Sequence, residues 1–349
     1  MIGDVSELNS FVPGLPKVEL HVHHVGSASP RIVGELAARH EGTSPVPADP
    51  ELLREYFVFR DFAHFIEVYL SVVDLIRTPD DVAMLTYEIA REMSSQSIRY
   101  AELTVTPHSS IRHGIAAEPF CEAIEDARTR ALQDFGIELA WCFDIPGEAG
   151  VEAAEVTLDA ALRVRPDGLV SFGLGGPEIG VPRAQFAPYF DRARAAGLHS
   201  VPHAGESTGP ETIWEALTHL GAERIGHGIA AARDQELLSH LAGEGITLEV
   251  CPTSNLRTRS VPSLAEHPLP ELVAAGVPVS INSDDPPMFS TTLNNEYLVA
   301  AELLGLDVDG VADLARASIH ASFLPNDRKG RLLREVDTYV RAHRRPAPT

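Results

Sequence analysis

His21 and His23, two apart in the apolar run Val18-Glu19-Leu20-His21-Val22-His23, are the first residues whose types and spacing could do chemistry. In an extended strand alternate side chains share a face, so both imidazoles point one way while Leu20 and Val22 point the other. Neutral imidazole is the commonest protein metal ligand, and a convergent pair suits a divalent ion. A His-X-His pair also suits a solvent-facing strand, so the tripeptide alone leaves the metal open. Further along stand His203 with Glu206, His227 between two glycines, and Asp284-Asp285 before a proline. Singly these read as a core histidine, a turn and a helix cap. Together they offer imidazoles and carboxylates, the groups of metal-assisted hydrolysis.

The elements that must position them alternate. Strand-like runs fall at about 17–23, 98–106, 137–145, 169–176, 199–203, 224–228, 247–251 and 277–284, with helix-like segments at 79–94, 120–135, 151–164, 183–196, 210–220 and 234–243. Strand and helix repeated eight times predict an α/β fold, a (β/α)8 TIM barrel. Residues 1–349 read as one domain with no linker. The stretch between the first two strands adds a helical excursion at 29–39, a Pro-rich loop at 41–50, and a run that puts Phe62, Ile66, Tyr69 and Val73 on one helical face. That face is core or a lid over a site. Residues 291–343 predict added C-terminal helices.

Active-site groups of such barrels gather at the C-terminal strand ends, where His21, His23, His203, Glu206, His227 and Asp284 all fall. His21, His23 and His203 with Asp284 make a shell for Zn²⁺ with water in a further position, and the ion would lower the water's pKa to about 7. His227 would take or orient the water proton, and Glu206 would donate a proton if its pKa is raised. Strand four carries no Lys or carboxylate at its end before Glu178, so one metal per chain is expected.

A net charge of −22, from 50 acidic and 28 basic residues, repels nucleic acid and anionic membranes and leaves a small molecule as the partner. Cys121, Cys142 and Cys251 are too few and too far apart for a disulfide scaffold or a cysteine zinc cluster. No signal peptide and no run of about 18 apolar residues is present, so a cytoplasmic protein is expected. Oligomeric state is not legible.

In this order the motifs resemble the adenosine deaminase family of metal-dependent hydrolases. They run from Pro16-Lys17-Val18-Glu19-Leu20-His21-Val22-His23 through His203-Ala204-Gly205-Glu206, Arg224-Ile225-Gly226-His227-Gly228 and Glu249-Val250-Cys251-Pro252-Thr253-Ser254-Asn255 to Ser283-Asp284-Asp285-Pro286. The resemblance covers nearly the whole chain. It implies a barrel and hydrolytic removal of the purine 6-amino group. Zinc would be held by His21, His23, His203 and Asp284, with Glu206 protonating N1 and His227 activating the water. Asp285 would bond N7 and the Gly176 N–H would reach N3. The signature of the zinc deaminases that act on cytidine, His-X-Glu with Pro-Cys-X-X-Cys, is absent.

One departure stands out. The family usually continues its first motif as His-X-His-Leu-Asp-Gly, with that Asp on the ribose 5′-hydroxyl, whereas this chain has His23-His24-Val25-Gly26. If the strand register persists, Val25 faces the pocket and cannot accept a hydrogen bond, while His24 points into packing. The expected substrate therefore carries a larger, less polar 5′ group. Within the family that fits aminodeoxyfutalosine, the adenine nucleoside of the alternative menaquinone route, whose 5′ side bears a carboxyphenyl ketone. Arg31 and Arg60 are candidates for its carboxylate, and Phe62 and Ile66 for the lid contacts. Adenosine deaminase, adenine deaminase and a non-catalytic purine binder are the alternatives.

Overall fold

Eight strands pair in parallel and in sequence order. They are β1 (Lys17–His23), β2 (Ile98–Val105), β3 (Glu138–Pro146), β4 (Leu169–Gly175), β5 (His199–Ala204), β6 (Arg224–His227), β7 (Thr247–Val250) and β8 (Val279–Ile281). The computed structural model describes residues 5–344 apart from 41, 43 and 61. A parallel bridge between Val22 and Asp284 joins the last strand's end to the first, with His23 N–H donating to Asp284 O (2.9 Å) and Asp284 N–H to His21 O (3.1 Å). The barrel expected from the eightfold alternation is the one observed.

β8 is shorter than its apolar run predicts. Pro278 has no N–H for the ladder, and past Ile281 the Asn282 side chain replaces a backbone rung, its Oδ1 accepting from the N–H groups of Leu20 (2.8 Å) and His21 (3.2 Å). His21 is thereby anchored to β8 at its own backbone. At the ends of β6 and β8 the chain turns sharply, and His227 (φ 59°) and Asp284 (φ 65°) both hold the left-handed conformation that costs a non-glycine residue energy.

Helices fill the gaps as the pattern predicts, with three differences. The segment at 183–196 begins as a 3₁₀ turn (Arg183–Phe186) before the α-helix Ala187–Ala195, because Pro188 cannot donate to a continuing helix. The ends of the 151–164 and 210–220 segments widen into π turns, Ala160–Val164 and Ala216–Leu220, which keep Ala160, Ala161, Ala216 and Leu220 buried. The excursion after β1 contains Pro30–Arg39, Pro50–Tyr56, Phe62–Val73 and Pro79–Ser95. Ser29 caps the first of these, and a Thr78/Asp81 capping box opens the last. Helices Leu293–Leu304, Val308–Ala321 and Asn326–His343 follow the barrel. Among the described residues no helix is long and apolar enough to cross a membrane.

Candidate metal and catalytic centre

His21 and His23 leave β1 on one side, as alternation requires, and meet His203 from β5 and His227 from β6. The His21 ring centroid lies 4.5 Å from that of His203 and 4.7 Å from that of His227. Asp284, turned inward by its left-handed backbone, closes the ring. Its Oδ1 is 3.2 Å from His23 Nε2 and 3.6 Å from His21 Nε2, its Oδ2 is 3.8 Å from His227 Nε2, and Ser254 Oγ donates to Oδ2 at 2.6 Å.

The groups behind the histidines decide what they present. His21 Nδ1 donates to Glu249 Oε2 (2.9 Å), a carboxylate held by Arg224, which also pairs with Glu102. His203 Nδ1 donates to the Leu174 carbonyl (3.0 Å). A carboxylate and a carbonyl only accept, so each ring in its neutral, ligand form turns a bare Nε2 lone pair into the centre. Of these, His21 Nε2 is buried with no hydrogen-bond partner, while His203 Nε2 lies within hydrogen-bond distance of His23 Nε2 (3.3 Å).

Burial opposes charging His21 and His23, yet the carboxylates, chiefly Asp284 and Glu249 for His21 and Asp285 and Asp284 for His23, outweigh it and raise them to about 10 and about 9. The site pulls positive charge inward. Donor atoms of His21, His23 and His203 lie within 4.8 Å of one another, as do those of His21, His227, Cys251 and Asp284. Imidazoles with one carboxylate around an orphaned Nε2 form the donor set of a single Zn²⁺ site.

Glu206 stands beside this cluster, Oε2 3.6 Å from His227 Nε2 and Oε1 accepting from Thr258 Oγ1 (3.0 Å). Burial, reinforced by the charges of Asp284 and Glu178, raises it to about 8, so it holds a proton at neutral pH. Its loop is clamped by Glu178, which accepts the N–H groups of Gly205 (2.8 Å), Glu206 (2.7 Å) and Ser207 (3.0 Å).

A cavity of about 230 Å³ opens over the cluster. Of the residues singled out in the sequence, His23, His203, Glu206, His227, Asp284, Asp285, Gly176 and Ile66 line it, while His21 lies buried among them at 1 % exposure. Gly176 holds φ 81°. The Phe62 side chain lies outside the described residues. Helix Phe62–Val73 lies over the cavity through Phe65, Ile66, Tyr69 and Leu70, which makes it the lid.

Val25 is placed otherwise than strand parity implies. β1 stops at His23, and Val25–Ser27 forms a 3₁₀ turn that carries Val25 into a smaller adjoining cavity. Tyr69, Thr106 and Ser109 line both spaces. His24 packs away from the centre, its Nε2 2.8 Å from Thr86 Oγ1. Neither candidate arginine lines the cavity: Arg31 is bound to Glu88 (2.6 Å) and Glu92 (2.9 Å), and Arg60 borders a separate surface depression.

Sequence reading missed Asp144, which stands two residues before the end of β3 and accepts from Thr106 Oγ1 at 2.6 Å. The strand-end rule that found the histidines could have found it. Phe65, Thr258 and Phe289 also line the cavity, and nothing in their local sequence marks them.

Gly26 shows how tightly Asp285 is seated, since a Cβ there would lie 1.5 Å from Asp285 Oδ1. Gly26→Ala is therefore expected to displace that carboxyl and lower kcat/KM by a factor equivalent to about 1–3 kcal/mol, the worth of one buried polar contact, at unchanged metal content. Steady-state kinetics with elemental analysis checks it.

Residues 16–339 match the adenosine deaminase family. The chain is 67% identical to the aminodeoxyfutalosine deaminase of Streptomyces coelicolor over 96% of its own length and 87% of that protein's. With the adenine deaminase of Cupriavidus necator it shares 36% identity, over 93% of this chain and 92% of that one. The crystal structure of an adenine deaminase from Arthrobacter aurescens superposes with a TM-score of 0.88 at 33% identity, covering 94% of this chain and 99% of that one. With its barrel, its histidine cluster and its matched length, the chain belongs to the adenosine deaminase family.

Proposed function

We propose that the protein hydrolyses the 6-amino group of aminodeoxyfutalosine and releases ammonia. The observation that carries the substrate is the 67% identity to a deaminase of that compound, against 36% to an adenine deaminase. His21, His23, His203 and Asp284 would hold zinc, which when bound makes water a nucleophile near neutral pH.

Glu206, protonated through burial, gives its proton to purine N1, and the Thr258 hydroxyl keeps its other oxygen in place. His227 faces the attacking water between Glu206 and Asp284. Burial and the adjacent Asp284 charge raise Asp285 to about 7, so its carboxyl in the protonated form can donate a hydrogen bond to N7, and its Oδ1 is buried without a partner. The Gly176 N–H serves N3, in a left-handed turn that suits glycine. The lid residues Phe65 and Ile66 exclude water from the purine.

The 5′ substituent leaves the main cavity past Tyr69, Thr106 and Ser109 toward Val25, Val73 and Ile76. Val25 offers a 5′-hydroxyl no acceptor at the position where the family usually carries Asp, and with Val73 and Ile76 it makes the apolar part of a space that Thr104, Ser109 and Ser110 also line. A hydroxyl left unpaired there costs about 1–3 kcal/mol. Free, buried thiols at Cys121, Cys142 and Cys251 suit a reducing cytoplasm as the place of reaction.

Ammonia release measured on aminodeoxyfutalosine, 5′-deoxyadenosine, adenosine and adenine tests the reading. Wild type is expected to give its highest kcat/KM on aminodeoxyfutalosine. Val25→Asp should narrow the gap to adenosine by roughly tenfold or more, as one recovered hydrogen bond allows. A wild-type preference for adenosine would overturn the substrate.

A further inference from the structure

Behind His227 lies a chain of hydrogen bonds in which every donor can be identified. The Leu269 backbone N–H can only donate, and it points at His267 Nδ1 from 3.1 Å, so that nitrogen accepts. His267 is buried, and burial lowers it to about 4, so the ring is neutral and its one proton sits on Nε2. That N–H faces Asn255 Oδ1 at 3.1 Å. The Asn255 amide is thereby oriented, its Nδ2 donating to His227 Nδ1 at 3.2 Å. His227 Nδ1 is an acceptor, and the single proton of the neutral ring lies on Nε2, the atom that faces Glu206 Oε2 (3.6 Å) and Asp284 Oδ2 (3.8 Å).

We propose that His227 serves the attacking water as a hydrogen-bond donor from Nε2 and not as its base, with Asn255 and His267 as positioning residues that hold this tautomer. The contrast with its neighbours is built in. His21 and His203 donate from Nδ1 to acceptors and present bare lone pairs, whereas His227 receives a donor at Nδ1 and presents a proton. A protonated nitrogen has no lone pair for a cation, so the same relay keeps His227 out of the ligand set and selects His21, His23 and His203 over the group containing His227 and Cys251.

The kinetic consequence rests on the hydrolytic deamination proposed above. With His227 unable to take it, the water's proton goes to Glu206. Glu206 gives its proton to N1 as the water oxygen bonds to C6, then takes the proton the water sheds. It passes this to the amino nitrogen as the C6–N bond breaks and ammonia leaves, and the proton of the new hydroxyl returns to Glu206 as the C6 carbonyl forms. Each water proton is used once, and Glu206 ends as it began.

Long-range ¹H–¹⁵N correlation spectra of the ¹⁵N-histidine protein, zinc-loaded and metal-free, test the tautomer, with His227 identified by the signals lost in His227→Ala. Wild type is expected to show the His227 proton on Nε2 in both forms. Asn255→Asp keeps the shape but sets an acceptor against Nδ1, so the proton should move to Nδ1. With it kcat should fall by up to about 10⁴-fold, the scale of a catalytic histidine held in the wrong tautomer, at little-changed KM. A wild-type proton on Nδ1 overturns the proposal outright, as does an inverted tautomer with wild-type kcat. Should Asn255→Asp fail to fold, the wild-type spectrum decides alone. Because that spectrum involves no substrate, failure of the substrate assignment and failure of the relay are read separately.

Discussion

Stripping the metal with a chelator is expected to abolish ammonia release and to lower thermal stability, both restored by one equivalent of Zn²⁺. The reason lies in what the cluster becomes without a cation. His21 Nε2 is buried with no partner, and Asp284, 5 % exposed, sits among imidazoles whose lone pairs face inward. An ion that binds the folded chain alone stabilises it by about 4 kcal/mol when free ion is present at roughly a thousand times its dissociation constant. His21→Ala should reproduce the loss in part: it removes the orphaned atom and leaves Glu249 facing a cavity, so occupancy and rate both drop while the barrel persists. Elemental analysis, ammonia assay and thermal unfolding on the same preparations check this. Full activity in protein shown to be metal-free would rule out zinc-dependent hydrolysis.

Glu206→Gln is expected to lower kcat on the order of 10²–10⁴-fold, the range for a positioned general acid, with KM changed little. The amide keeps the shape and can still accept from Thr258 Oγ1, so binding survives while the transferable proton does not. The pH profile supplies an independent sign. Burial first, then the charges of Asp284 and Glu178, raise Glu206 to about 8, and its acid form is the donor. Activity should therefore be high below that value and fall as pH rises through it. A cation in the neighbouring cluster draws the falling limb to lower pH, since it favours the carboxylate. Equal rates in the variant and wild type would remove Glu206 from its role.

The chemistry-bearing side chains were largely legible in the linear chain, because the rules that expose them are local. Alternation in β1 sets His21 and His23 on one side, and the strand-end rule gathers His203, Glu206, His227 and Asp284 at one rim. The same local reasoning failed at Val25, where it carried strand parity two residues past the point at which β1 stops and a 3₁₀ turn begins. It failed again at Arg31, whose charge is consumed by Glu88 and Glu92 on a helix more than fifty residues away in sequence. Asp285 was visible, but its dependence on the missing side chain of Gly26 was not.

What the sequence by itself determined is the set of groups and the face of the barrel they occupy, since both follow from residue type and strand periodicity. What only the tertiary structure decided is the protonation and lone-pair direction of each. His21 takes its tautomer from Glu249, 228 positions away, His203 from the carbonyl of Leu174, and His227 from Asn255 and, through it, His267. Three histidines identical in the chain differ in which ring nitrogen faces the centre with a lone pair or a proton, according to whether the distant group behind each accepts or donates.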